Sequence, residues 1–167
     1  MRRWVLLIVG AVLVVAASLA LWGSRFATGF VRDQLVAQKI TFPDKATLEK
    51  DNPALVKYAG QAVDNGEKAK AYSDYIAGHL KNVAGGKTYS EVSSEYQKGR
   101  SNQTLAAQRQ TLFMGETLRG LLLNAWGWSL IGSIAGYAAI TLYVAGGATI
   151  AAAFLVPATP ARKRARK

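Results

Sequence analysis

The chain has 167 residues and no cysteine. Disulfides, thiol nucleophiles and thiolate metal sites are therefore excluded together. It has one histidine, His79, so an iron or zinc site built on several imidazoles is excluded as well. Only four prolines are present, and none falls between Pro53 and Pro157, which leaves that stretch open to long helices. Charge is missing from two places: residues 4–22 carry none, and residues 120–161 carry none.

The charge that is present is lopsided. There are 21 basic and 10 acidic residues, for a net charge of +11. Arg2 and Arg3 precede the first apolar run, and Arg162, Lys163, Arg164, Arg166 and Lys167 follow the last one. Removing those seven leaves 14 basic against 10 acidic residues in the remainder, or +4. An excess placed beside apolar runs is the bias that orients membrane segments, so it calls for no nucleic acid.

Residues 4–22 form a helix of about 28 Å, close to the hydrocarbon thickness of a bilayer. Trp4 and Trp22 bracket it, and indoles suit the two membrane interfaces. A cleaved signal peptide with a site near Ser18-Leu19-Ala20 is the rival reading, but the apolar run is long for one. The second run is too long for a bilayer, since residues 120–156 make about 55 Å of helix. A hairpin turning at Gly146 and Gly147 leaves too few residues to span again before Pro157, and would place the basic tail on the wrong side. A single span from about Trp126 or Trp128 is expected, ended by Pro157 and Pro160. The expected architecture is all-α. Residues 1–23 hold the cytoplasmic end and first transmembrane helix, and residues 24–119 an extracytoplasmic helical domain. Residues 120–157 form the second transmembrane helix, extended outward as a long helix, and residues 158–167 a basic cytoplasmic tail. Both termini are expected in the cytoplasm, with the protein in the cell membrane.

The second span is rich in small residues. Gly132 and Gly136, flanked by Ser129 and Ser133, form the spacing that lets two helix backbones approach closely. The contact expected is with the first span, whose Gly10, Ala17 and Gly23 offer small residues, with another copy, or with another membrane protein. Glu116 and Arg119 share a helix face just outside the expected bilayer, as a pair or as contacts to lipid phosphate. Together with Trp4, Trp22, Trp126 and Trp128 they mark the expected membrane interfaces. The tail from Arg162 through Lys163, Arg164, Arg166 and Lys167 has the composition that attracts anionic lipid.

The middle of the chain reads as short helices. Asn52 as N-cap and Pro53 at the first helical position predict a helix carrying Leu55, Tyr58, Ala59, Ala62 and Val63 on one face. A turn at residues 64–66 leads to a second helix to about Ala84, with Ala69, Tyr72, Ile76, Leu80 and Val83 facing the first in a hairpin. Gly85 and Gly86 close it. Thr88 and Glu91 fit a capping box that opens a helix to about Lys98, and a further helix from about Gln103 runs toward the membrane.

No catalytic set is visible. His79 has no Glu or Asp four residues away on either side, and no GxSxG, P-loop or GxGxxG is present. No cofactor or metal is expected. The tyrosines at 58, 72, 75, 89 and 96 have the spacing of helical core.

Read together, several segments resemble a family of small actinobacterial membrane proteins with two spans and uncertain function. They are QKITFP at residues 38–43, YAG at 58–60 and AKAYSDYI at 69–76 followed by His79 and Leu80. TYSE at 88–91 and QTLFMGETLRG at 110–120 complete the set. Some members carry the label aromatic ring-opening dioxygenase. Such chemistry needs an iron site, commonly two histidines and a carboxylate, and this chain has one histidine. The resemblance implies the topology and no catalytic residue. A non-enzymatic accessory or scaffolding subunit of a cell-envelope membrane complex is the leading expectation, with membrane lipid and another membrane protein, or a second copy, as partners. A self-assembling small pore and a membrane-tethered sensor or ligand-binding domain are the alternatives.

Overall fold

The structure is a computed structural model that describes residues 2–155. Pro157, Pro160 and the five basic tail residues lie outside the described residues. Among the described residues the chain is all-helical, in the order α1 (Arg2–Ala37), α2 (Lys45–Asp51), a 3-10 helix (Pro53–Tyr58), α3 (Gly66–Val83), α4 (Tyr89–Lys98) and α5 (Gln103–Leu155). At 1.5 Å per residue, α1 is about 54 Å long and α5 about 80 Å. Two compact units divide the chain, one made of Met1–Phe26 with Gly132–Lys167, the other of Ala27–Ile131.

The first unit pairs the uncharged parts of α1 and α5. Ser24 lies by Gly136, Ser18 by Tyr143, Gly10 by Gly146 and Ile150, and Arg3 stacks over the Phe154 ring. Contacts in that order run along α1 one way and along α5 the other, so the helices are antiparallel. Small residues line the seam, because close backbone approach needs them. Gly10, Ala17, Gly132, Ala139, Gly146 and Ala153 are all buried. The large apolar side chains point outward, including Ile8, Val12, Leu19, Ile134, Ile140 and Val144. In the most apolar windows of α1 and α5 only 11% and 17% of residues are buried. A core helix of a water-soluble protein would bury most of that surface. Both helices are long and apolar enough to cross a membrane.

The second unit has two apolar clusters. One gathers Val31 and Leu35 of α1, Leu48 of α2, Ala69 and Ala71 of α3 and Leu122 of α5 around Phe42, Leu55, Tyr58 and Val63. Phe42 stacks on Tyr58 and meets Tyr72 edge-on, each at 5.2 Å between ring centres. The other joins Leu80 and Ala84 of α3, Val92 of α4 and Leu112 of α5. The segment after α1 folds back on itself: Phe42 N–H donates to the Gln61 carbonyl and Val63 N–H to the Ile40 carbonyl, both at 2.9 Å. Gly60, at φ 68°, turns the chain out of the 3-10 helix into the second of those strips.

The segment from Pro53 to Val63 departs from the helix expected there. It is a 3-10 helix only to Tyr58, followed by extended chain, so no α-helical hairpin forms with α3. Leu55 and Tyr58, three apart, both point into the core, which is the period of a 3-10 helix. Asn52 makes no side-chain cap; the cap that forms is Asp44, whose carboxylate accepts from Thr47 N–H at 2.8 Å and starts α2. That short helix has a single buried residue, Leu48, too few for a periodic signal. Other local signals match the structure. Gly85 and Gly86 adopt φ of 59° and 84° after α3, and Thr88 and Glu91 form a reciprocal capping box; at residues 64–66, read as a turn, Asn65 caps α3, which already includes Gly66.

Candidate functional surfaces

The uncharged stretch of α5 serves two environments. Residues 132–155 belong to the apolar helix pair, a length of about 36 Å, and residues 2–26 of α1 match it at about 37 Å. Residues 120–131 belong to the helical unit. There Leu122 is buried, and Trp126 and Ser129 lie against the first turn of α3. The first part of the run thus belongs to the second unit, contributing Leu122 to its core and leaving Leu121, Trp128, Leu130 and Ile131 exposed. This close seam between α3 and α5 was not visible in the sequence. A Cβ on Gly66 would overlap the Ser129 side chain, and one on Gly115 would stand 2.5 Å from a Leu80 methyl. Isolated glycines in different helices carry no spacing motif that signals their meeting.

The residues marked as a packing stripe separate accordingly. Gly136 faces Ser24, where an added Cβ would stand 2.9 Å from the hydroxyl oxygen, and Gly132 is buried. Ser129 packs on Gly66 in the other unit, Ser133 is exposed, and Gly23 has open space around it. The Ser18 hydroxyl bonds Tyr143 at 2.8 Å and also donates to the Val14 carbonyl at 2.9 Å. Trp4, Trp22 and Trp128 are exposed. Trp126 is half-buried, with the Lys70 ammonium 5.9 Å from its ring. Glu116 and Arg119 form an ion pair at 2.6 Å. The basic residues from Arg162 to Lys167 lie outside the described residues.

The remaining polar groups of the second unit hold structure. The Tyr58 hydroxyl donates to the Glu67 carboxylate, and this bond, with Lys57 at 3.6 Å, keeps the Glu67 carboxyl below the usual range. Lys87 bonds both oxygens of Glu95, and Lys70 pairs with Asp74 at 2.8 Å. Ser73 is fully buried without a hydrogen-bond partner for its hydroxyl. His79 is exposed, and among the described residues no group of three or more histidines and carboxylates could hold a metal ion.

Two apolar concavities stand out on this unit. One, of about 310 Å³, lies between α1 and α5. Val31, Leu35 and Leu122 form its buried floor; Phe30, Leu121 and Trp128 are its exposed walls. Its polar residues are the carboxamides Gln34, Gln38 and Asn124, all exposed at the rim. The other, of about 590 Å³, is lined by Ile76, His79 and Leu80 of α3 and by Phe113, Met114 and Leu118 of α5. The Tyr-rich stripe forms neither of them: Tyr58, Tyr72 and Tyr75 pack in the first core cluster.

Comparison with family models, with curated proteins and with solved structures finds no match to this chain. The fold itself defines the class: an all-helical protein with two helices long and apolar enough to cross a membrane.

Proposed function

We propose that this is a non-enzymatic protein of the cell membrane, crossing it twice with both termini in the cytoplasm, and acting as an accessory or scaffolding subunit of a cell-envelope assembly. The observation that carries the reading is the face of α5 with Phe113, Met114, Leu118 and Leu121, between 37% and 65% exposed. Large apolar side chains left open together on a helix mark contact surfaces. The antiparallel order of the helix pair supports placing both ends on one side. A self-assembling pore has less support, because Gly136 is already engaged with Ser24 of the same chain.

Affinity purification in mild detergent tests the docking role. The chain is expected to bring down a stoichiometric membrane partner, and Met114→Glu is expected to lose it with helicity retained. Recovery of this polypeptide alone, at monomer mass, would overturn the proposal.

A second reading, a membrane-tethered ligand-binding domain, is favoured by a separate observation, the concavity between α1 and α5. Its volume falls at the small end of the range for small-molecule sites.

A further inference from the structure

We propose that the groove between α1 and α5 holds one acyl chain of a membrane glycerolipid, with the ester at its carboxamide rim. The inference rests on the ligand-binding reading; the groove shares Leu118 and Leu121 with the docking face, while Phe113 and Met114 lie outside it.

The lining is graded. Val31, Leu35 and Leu122 give a dry floor, between 2% and 5% exposed, to which an alkyl chain adds contacts at no cost in polar desolvation. No Lys, Arg, Asp or Glu lines the groove, so it has nothing to select a charged headgroup. Gln34 and Gln38, four apart on α1, and Asn124 on α5 supply amide donors and acceptors at the mouth. Donors beside an apolar slot suit the carbonyl of an uncharged ester.

The walls also point to lipid as the source. They are parts of α1 and α5, the two helices long and apolar enough to cross a membrane. Along α1 the lining starts at Phe30, four residues past Phe26, and along α5 it ends at Trp128, four residues before Gly132. Helices that cross a membrane are surrounded by lipid acyl chains, so a lipid is the ligand such walls meet first. A second copy of this protein would instead have to present a protruding apolar side chain of matching length.

Photolabelling of the full chain, held in amphipol and free of detergent micelles, tests the proposal. The probe is a monoacylglycerol with a diazirine at the end of its chain. Labelled peptides are expected to contain residues 30–38 and 118–128. Labelling should fall about fivefold under an excess of the unlabelled monoacylglycerol, and much less under the alkane of equal length. Ala125→Phe, which fills the groove, should lower it by a similar factor. Should that variant lose helicity, competition on the native chain decides. Label spread over the outward apolar residues of α1 and α5, unaffected by competitor, overturns the proposal. So does a chain-to-chain crosslink at the groove with no lipid adduct there. Partner recovery is not read in this assay, so its failure would leave the docking role standing.

Discussion

Gly10 and Gly146 face each other across the apolar helix pair, and neither has space for a methyl group. A Cβ on Gly10 would stand 3.0 Å from the Gly146 carbonyl oxygen, and one on Gly146 3.1 Å from the Gly10 carbonyl oxygen. The Ile150 side chain stands nearer still to the Cβ on Gly10, at 2.5 Å, and Val14 to that on Gly146, at 3.0 Å; side chains can shift, but the backbone oxygens behind them yield only if the helices separate. Separation gives up the dispersion contacts along the seam.

Gly10→Val should therefore destabilise the helix pair by about 1–3 kcal/mol, the usual cost of overpacking a close contact. Gly23 lies on the same helix with open space around it, and Gly23→Ala should be neutral or slightly stabilising. Thermal unfolding in a fixed detergent, followed by circular dichroism, separates the two. Equal effects at both positions would mean that the seam is not closed at Gly10.

The helical unit allows the same comparison within one helix. Gly66→Ala places a methyl group into Ser129, 3.3 Å from the Trp126 Cα, and should cost about 1–3 kcal/mol. Gly78 in the middle of α3 has nothing within 4 Å of an added Cβ. Gly78→Ala should gain about 0.5–1 kcal/mol, since glycine loses more backbone freedom on entering a helix. The opposite order of the two midpoints would place α3 differently on α5.

These positions show what the sequence made legible. Local signals carried well: the capping box at Thr88, the glycines after α3, and the start of α5 at Gln103 each depend on a few adjacent residues. Among long-range meetings only that of the two apolar spans was anticipated, through Gly10 and Ala17. Gly132 and Gly136 attracted notice through their spacing, yet Gly146, Gly66 and Gly115 make equally tight approaches without any motif. The overlong uncharged run could not reveal that its first part belongs to a different unit, where it gives Leu122 to the core, because lipid and protein interior select the same apolar residues. The groove was hidden for the same reason, as it is built from residues far apart in the chain.

Acid should weaken the start of α4. Thr88 N–H donates to the Glu91 carboxylate at 2.7 Å, and chiefly for that reason the carboxyl titrates below its ordinary value of 4.5. The folded state then binds this proton less readily than the unfolded state does. Its contribution to stability is present above about pH 4.5 and is lost as the pH falls through the lower folded value. Glu67 and Asp44 shift in the same direction, so acid sensitivity is shared among them. Glu91→Gln keeps an acceptor for Thr88 without a titrating proton. Protection of the Thr88 amide, its exchange rate measured against the intrinsic rate at the same pH, should fall as the pH drops below about 4.5 in the native chain and stay level in the variant. An identical fall in both would remove Glu91 as the cause.

Membrane orientation gives the sharpest check of the proposed topology. Arg3 lies over Phe154 at one end of the helix pair, and Ser24 lies by Gly136 at the other. The ends of the two apolar runs that meet at Arg3 and Phe154 are those flanked by Arg2, Arg3 and the basic tail. Positive residues beside a span favour the cytoplasm, and here both flanks act in the same direction. The turn at Gly85 and Gly86 is exposed and in left-handed conformation, so it offers an insertion point that disturbs no buried contact. A phosphatase reporter inserted there should be active, because it reaches the oxidising side of the membrane. The same reporter fused after Lys167 should be silent, and a fluorescent protein that matures only in the cytoplasm should glow at that position. Activity of the phosphatase at Lys167 with silence at Gly85 would invert the topology. Activity of the phosphatase at both sites would mean that only one of the two helices crosses.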